Sequence, residues 1–96
     1  MAAAQVSDSP TRQAAFGRAV RAAREARGIS QLALARRADL SRSYLWGLER
    51  GTRNPTLGTI AELAAVLGML PSELVREAEI GEVGDVERDS GRVPEG

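Results

Sequence analysis

The amino-acid sequence predicts an all-α fold, with five short helices packed into one compact domain between two disordered tails. Apolar residues recur at helical spacing across residues 11–78, and no stretch alternates as a β-strand would. Capping residues and glycines divide this region into segments of helical length. Ala, Leu and Val supply most of the apolar residues, while Phe, Tyr and Trp occur once each, which suits close helix packing.

The two ends of the chain lack this periodicity. Residues 1–10 are rich in Ala, Ser and Pro, while residues 79–96 are acidic and contain several glycines. Such compositions do not bury enough apolar surface to order a chain. We therefore predict a disordered tail over residues 1–10, a single domain over 11–78 and an acidic disordered tail over 79–96.

Cap residues mark the first two helices. The first is predicted from about Thr11 to Arg27, with Gly28 as its C-terminal cap. Ser30 is a favourable N-cap for a second, shorter helix that ends near Ala38.

Three further helices follow from the same signals. Ser41 is predicted to cap a third helix that ends at Gly51, and Thr56 to begin a fourth that ends at Gly68. Pro71 suits the first turn of a fifth helix. The inward stripe predicted for the fourth helix consists of Leu57, Ile60, Leu63, Ala64 and Leu67.

The composition limits the chemistry that the chain can perform. It contains no Cys and no His, which excludes disulfides, thiolate metal sites and the commonest general base. We expect no enzyme activity, no metal site and no cofactor. The N-terminus lacks a secretory signal and no segment approaches about 20 apolar residues, so we expect a cytoplasmic protein that does not enter a membrane.

Charge is divided unevenly along the chain, although its formal net charge is zero. Through Pro55 there are ten Arg against four acidic residues, a net charge of +6, and the remainder carries −6. A basic half predicts contact with a polyanion. Every basic residue is Arg, which favours bidentate contacts to phosphate and guanine, although a GC-rich genome produces the same bias.

Within the basic half, the second and third predicted helices are joined by a turn of only three or four residues. This spacing is the mark of a helix-turn-helix. The small Ala35 suits a close approach of the two helices. The inward-facing positions of the pair are Leu34, Ala38, Leu40, Leu45 and Leu48.

The stretch SQLALARRADLSRSYLWGLERGTRNPTLGTIAELAAVLG resembles the lambda-repressor-like (XRE) family of DNA-binding domains. The resemblance runs from about Phe16 to Val75 and stays in register through five elements. It implies a sequence-specific transcription regulator that binds palindromic operator DNA as a homodimer, with its third helix, about 42–50, in the major groove. The matching positions are Gly28-Ile29-Ser30-Gln31, Leu34-Ala35, Leu48-Glu49-Arg50-Gly51, Asn54-Pro55, Leu63-Ala64 and Leu67-Gly68.

Base contacts are predicted on the outward face of the third helix, and a helical wheel places them opposite the apolar positions. The alternatives for Arg42 are a solvated residue or a phosphate contact. Gly47 either allows a close approach to DNA or reflects drift at an exposed position. Trp46 contacts DNA, meets a partner protein, or folds over Arg42 or Arg50 by cation–π contact. The predicted base contacts are Arg42, Ser43, Trp46 and Gly47.

Phosphate contacts are expected around the same helix. The resemblance assigns one to Gln31 at the start of the second helix, where the positive helix end supports it. The other candidates surround the third helix, and the alternative for each is an ordinary surface residue. These candidates are Tyr44, Arg50, Arg53 and Asn54.

Two features of the resemblance concern the scaffold. It implies an ion pair between Arg24 and Glu49 that orients the third helix and has a structural role. It also places Asp39 where the family usually has Gly in the turn, and Asp tolerates the left-handed conformation better than most residues.

The resemblance and the weak specificity of one short helix both indicate a dimer. The predicted interface lies near the fifth helix. The alternative is that its residues close the core of the monomer, and for Leu70 and Leu74 both roles together stay open. The interface residues are Met69, Leu70, Leu74 and Val75.

A different function class stays open. An antitoxin-type or other protein-binding module would use the acidic C-terminal tail, with Val83 and Val86 as anchors, to hold a protein partner. Among regulators, the architecture is similar to controller proteins of restriction–modification systems and to some phage or plasmid repressors.

Overall fold

Five α-helices follow one another along residues 10–81, the part of the chain that the computed structural model describes. They are α1 (Pro10–Ala26), α2 (Gln31–Arg37), α3 (Arg42–Glu49), α4 (Leu57–Leu67) and α5 (Pro71–Gly81). No strand occurs among these residues, so the predicted all-α fold of five helices is confirmed. No single helix of this region is long and apolar enough to cross a membrane, and α4 and α5 meet that test only jointly, across a bend of 99°.

The helix boundaries differ from the predicted ones by a few residues. α3 ends at Glu49 rather than Gly51, because Arg50 caps it and Gly51 then adopts a positive φ of 85°. α5 continues to Gly81, three residues past the predicted domain boundary, because the buried Ala78 holds its last turns on the core. The remainder of the two predicted tails lies outside the described residues.

Three helices have side-chain N-caps: the predicted Ser30 and Ser41, and Thr56, which was predicted as the first residue of α4 and instead caps it. Ser30, Ser41 and Thr56 each accept a hydrogen bond from the backbone N–H three residues further along, at 3.0–3.1 Å. Each bond satisfies one N–H that the first turn would otherwise leave without a partner. Asp39 lies in the turn between α2 and α3 with a φ of 59°, the left-handed conformation expected there.

The core lies where all five helices meet. Its largest fully buried side chains are Val20, Leu34, Leu45, Leu48, Leu63, Leu67 and Leu74. The prediction that Leu57 belongs to the inward stripe of α4 is wrong, since its side chain is 85% exposed. Leu57 is the first residue of α4, and the neighbouring positions 56 and 58 are exposed too, so this first turn extends past the core.

α1 and the end of α3 approach each other at the level of the backbone. A Cβ at Gly17 would lie 2.4 Å from the carbonyl oxygen of Leu48 and 2.6 Å from that of Glu49. A Cβ at Gly51 would lie 2.8 Å from the Cα of Ala14. Two glycines, one on each side, therefore allow α3 to rest directly on α1.

Candidate nucleic-acid interface

α3 has one buried face and one exposed face. Leu45 and Leu48 are fully buried on the inner side. On the outer side, Arg42, Ser43 and Trp46 are exposed. The fold thus fixes α3 by its apolar side chains and leaves a face of polar, cationic and aromatic side chains open to a partner.

Arg42 and Ser43 occupy the first turn of this helix, directly after its N-cap Ser41. The N-terminal end of a helix carries a partial positive charge, to which Arg42 adds a full one. A guanidinium can donate two hydrogen bonds to the acceptors of guanine or to a phosphate, and a hydroxyl can bond to any base. This turn is therefore chemically suited to a base edge.

Trp46 and Arg50 form a stacked pair one helical turn further along. The Cζ atom of Arg50 lies 4.6 Å from the centre of the Trp46 ring, within the range of a cation–π contact. The Trp46 side chain is 53% exposed. Of the alternatives for this residue, the fold over Arg50 is the one that the structure contains.

Gly47 is not on the exposed face, so its predicted contact with a base is corrected. It is buried beneath the residues that follow α3, and its carbonyl oxygen accepts hydrogen bonds from the backbone N–H of Thr52 at 2.9 Å and from Thr52 Oγ1 at 3.0 Å. A Cβ here would lie 3.0 Å from Thr52 Oγ1 and 3.2 Å from Arg53 Cγ. The missing side chain makes room for this loop, not for DNA.

The same loop carries a second cation–aromatic pair. The Cζ atom of Arg53 lies 5.4 Å from the centre of the Tyr44 ring. Tyr44 is half-buried in α3, whereas Arg53 and the following Asn54 are exposed. The structure thus brings three of the predicted phosphate-contact residues together on one side of α3.

The ion pair between Arg24 and Glu49 is present and joins α1 to the end of α3. Arg24 Nε donates to Glu49 Oε2 at 2.8 Å and Nη2 donates to Oε1 at 3.0 Å. Both side chains are largely buried. The hydrogen bond that Arg24 donates to Glu49, opposed in part by burial, raises the pKa of Arg24 above its ordinary value, so the guanidinium stays charged.

Gln31 joins the same cluster from the start of α2. Its Nε2 donates to Glu49 Oε1 at 3.1 Å, and Arg24 Nη1 donates to the carbonyl oxygen of Ile29 at 3.1 Å. One carboxylate therefore connects α1, α2 and α3. The amide nitrogen of Gln31 has a second N–H, which leaves a donor for an outside acceptor.

The four residues predicted for a dimer interface do not form one surface. Leu74 is fully buried, so its predicted interface role is corrected: it belongs to the hydrophobic core of the monomer. Met69 is half-buried against the same core, while Leu70 is 62% exposed and Val75 is 38% exposed. The exposed part of the set is limited to Leu70 and Val75.

Sequence reasoning missed two residues that position this surface. Gly17 allows α3 to rest on α1, and Thr52 fastens the loop that carries Arg53. The signal for Gly17 was present, because an isolated glycine inside a helical pattern usually has a packing reason. Thr52 gave no sequence signal, since any small residue suits a position after a helix-ending glycine.

The sequence of this chain is similar to the sequences of known proteins. Residues 20–74 match the Helix-turn-helix protein family. The immunity repressor protein of Bacillus phage phi105 is 43% identical over 61 residues, which are 64% of this chain and 42% of the repressor. The control protein C.BamHI of Bacillus amyloliquefaciens is 40% identical over 67 residues, which are 69% of this chain and 83% of that protein.

Solved structures of other proteins have a similar fold. The clp gene regulator ClgR from Corynebacterium glutamicum superposes with a TM-score of 0.77 at 28% identity, covering 86% of this chain and 88% of the regulator. The restriction-modification controller protein C.AhdI from Aeromonas hydrophila has a TM-score of 0.63 at 45% identity, covering 65% of this chain and 94% of the controller. From its sequence and its fold, the chain belongs to the lambda-repressor-like (XRE) helix-turn-helix family of transcription regulators.

Proposed function

We propose that this protein binds palindromic operator DNA as a homodimer, with α3 in the major groove and Arg42 and Ser43 on base edges. The observation that carries this proposal is the division of α3. Its first turn exposes a guanidinium and a hydroxyl, while its opposite face is fixed by Leu45 and Leu48 in the core. A helix held in this way can enter a groove without reorganising its own domain.

Phosphate contacts hold the helix in register in this proposal. The exposed Arg53 and Asn54 follow α3 on one side, with the half-buried Tyr44 beneath Arg53. On the other side Gln31 retains an N–H donor after its bond to Glu49. Donors on both sides of α3 suit the two DNA strands that border a major groove.

The dimer of this proposal uses Leu70 and Val75, with the half-buried Met69 at its edge. One eight-residue helix offers few base contacts, so two copies on a two-fold axis supply the specificity that one lacks. The two half-sites are then about one helical turn, or roughly 34–36 Å, apart.

We further propose that the regulated genes belong to a restriction–modification system. The control protein and the controller protein are 40% and 45% identical to this chain and are matched over 83% and 94% of their lengths. ClgR is matched over 88% of its length but is only 28% identical, and the phage repressor is matched over only 42% of its length. Adjacent methyltransferase or endonuclease genes and binding to the DNA upstream of them are the expected results. A neighbouring phage gene cluster would contradict this assignment.

In this proposal the protein acts in the cytoplasm without a catalytic role. The alternative of a protein-partner module depends on the acidic tail beyond Gly81, which lies outside the described residues, and it stays a prediction.

The proposal is tested by selection of binding sites from random duplex DNA, followed by binding of the enriched site at several salt concentrations. We expect a palindrome with half-sites one turn apart, bound cooperatively with protein concentration. Arg76→Ala, which removes an exposed charge from α5, is the matched control and should select the same site. Enrichment of no sequence, with only salt-sensitive general binding, would overturn the proposal.

A further inference from the structure

A shallow depression lies beside the outer face of α3, where α1, α2 and α3 meet. Its volume is about 250 Å³. The lining is polar except for one aromatic ring. It consists of Arg21, Arg24, Gln31, Trp46, Glu49 and Arg50.

The lining carries three Arg and one Glu, and the pairing of Arg21 with Glu25 outside the depression leaves one cation in excess. Arg21 Nε lies 3.1 Å from Glu25 Oε2, and Arg24 is paired with Glu49. The remaining positive charge of the lining is that of Arg50, whose guanidinium is stacked on Trp46. The depression therefore has the electrostatics of a site for one anion.

The stacking geometry fixes how Arg50 can use its charge. A guanidinium that lies over an aromatic ring engages the ring with its flat face, while its N–H donors point outward in its own plane. Those in-plane donors match the two oxygens of a phosphate. The stack also reduces the number of conformations that the long Arg50 side chain would lose on binding.

We propose that Trp46 is a positioning residue, which holds Arg50 for a backbone phosphate of DNA seated in this depression, and that Trp46 does not itself read a base. The proposal rests on the proposed function and revises the base contact predicted for Trp46. It names a site whose donors are Arg50 and the second amide N–H of Gln31.

The location favours a phosphate over a base edge. Arg50 caps the C-terminal end of α3, eight residues after Arg42 begins it. With a rise of about 1.5 Å per residue, the two ends are roughly 12 Å apart. When the first turn of α3 points at base edges, the C-terminal end of α3 is directed toward the DNA strand that borders the major groove.

The stack itself is testable without DNA, because Trp46 is the only tryptophan of the chain. Arg50→Ala should change the fluorescence emission of the free protein, and the control Arg76→Ala should not. Identical emission from wild type and Arg50→Ala would overturn the stack and the inference with it.

The role of the stack is tested by DNA binding of Trp46→Ala, Trp46→Phe, Arg50→Ala and the double variant. Trp46→Ala should weaken the selected site and single-base variants of it equally, by about two- to fivefold. The dependence of log K on log salt should become shallower for Trp46→Ala in the direction of Arg50→Ala, which loses about one phosphate contact. Trp46→Phe should recover part of the affinity, and Trp46→Ala should cause no further loss in the Arg50→Ala background.

Two results would overturn the inference while wild-type DNA binding is intact. One is a relaxed preference at a single base pair in Trp46→Ala with an unchanged salt dependence, which would make Trp46 a base reader. The other is an equal loss from Trp46→Ala in the presence and absence of Arg50. Absence of any wild-type DNA binding would instead overturn the proposed function, and this phosphate site with it.

Discussion

The guanidinium of Arg24 contacts both carboxylate oxygens of Glu49, at 2.8 Å and 3.0 Å, and thereby fastens the end of α3 to α1. Replacing Arg24 by Met would leave the nearly inaccessible Glu49 carboxylate without its charged partner. We expect Arg24→Met to lower the free energy of unfolding by about 3–5 kcal/mol, the usual cost of a buried charge that loses its partner. Urea denaturation measures this loss, and the exposed Arg21→Met is the control, with an expected change below about 1 kcal/mol.

The pH dependence of the same pair has a defined sign. The pKa of Arg24 is raised by its hydrogen bond to Glu49, so its contribution to stability is complete below the unfolded pKa and is lost only as the pH rises through the folded one. Both pKa values of Arg24, folded and unfolded, lie far above neutral pH. The stability difference between wild type and Arg24→Met should therefore stay constant from about pH 7 to about pH 10. A difference that shrinks across this range would mean that another group is responsible.

Arg42 and Arg53 should differ in how their loss affects DNA binding. Arg42→Ala should cost about 1–3 kcal/mol of discrimination at one base pair, because the side chain is assigned to a base edge. Arg53→Ala should weaken all sequences to the same extent and reduce the salt slope by about one, because it is assigned to a phosphate. Titration of the selected site and its single-base variants distinguishes them. A uniform loss for Arg42→Ala would contradict its assignment.

Gly47→Ala should change the stability little and lower the affinity for DNA. Removing a helical glycine gains about 1 kcal/mol of helix propensity, but the new Cβ would press on Thr52 Oγ1 at 3.0 Å and on Arg53 Cγ at 3.2 Å. We expect the stability to change by less than about 1 kcal/mol, while displacement of Arg53 from Tyr44 lowers the affinity for all sequences. Thermal unfolding and DNA titration measure the two effects. Full affinity together with a gain in stability would refute this account of the loop.

Gly17→Ala, unlike Gly47→Ala, should cause a large loss of stability. Its Cβ would meet backbone carbonyl oxygens of α3 at 2.4 Å and 2.6 Å, which cannot move without separating α1 from α3. Overpacking of this kind costs about 1–3 kcal/mol. Gly58→Ala in α4 is the matched control, because its Cβ would meet only Thr56 Oγ1, at an ordinary 3.7 Å. The control should be neutral or stabilising, and equal behaviour of the two variants would exclude close packing at Gly17.

Asp39→Gly should stabilise the protein. Asp39 has a φ of 59° in the turn between α2 and α3, a conformation that glycine adopts without steric cost. We expect a gain of up to about 1 kcal/mol, partly offset by the greater freedom of glycine in the unfolded chain. Asp39→Asn removes the charge and keeps a side chain that tolerates this conformation, so it should change the stability less. A larger gain in stability for Asp39→Asn than for Asp39→Gly would show that loss of the charge, and not relief of the backbone, causes the effect.

Local signals predicted much of this fold. The three Ser and Thr caps and the left-handed Asp39 depend on residues within four positions of one another, so short stretches of sequence determine them. The Arg24–Glu49 pair spans 25 residues and was available only through the resemblance to a family. The contact is long-range, and helical periodicity alone gives no partner for a charged residue.

The errors have a common physical origin in tertiary packing. A helical wheel treats α3 as an isolated cylinder, so it placed Gly47 on an open face that the loop at Thr52 in fact covers. The periodicity of α5 did not show that Leu74 is a fully buried member of the core. Leu57 satisfied the spacing of the inward stripe of α4 but lies where no neighbouring helix reaches.

The separation of the two faces of α3 also affects how this protein can diverge. Arg42 and Ser43 are exposed, whereas Leu45 and Leu48 lie in the core, so the side chains assigned to DNA are not those that hold the helix. Under the proposed function, substitutions at Arg42 and Ser43 change the operator that is bound without requiring a compensating change in the interior. The same independence makes this chain a suitable scaffold for grafting another specificity onto an unaltered core.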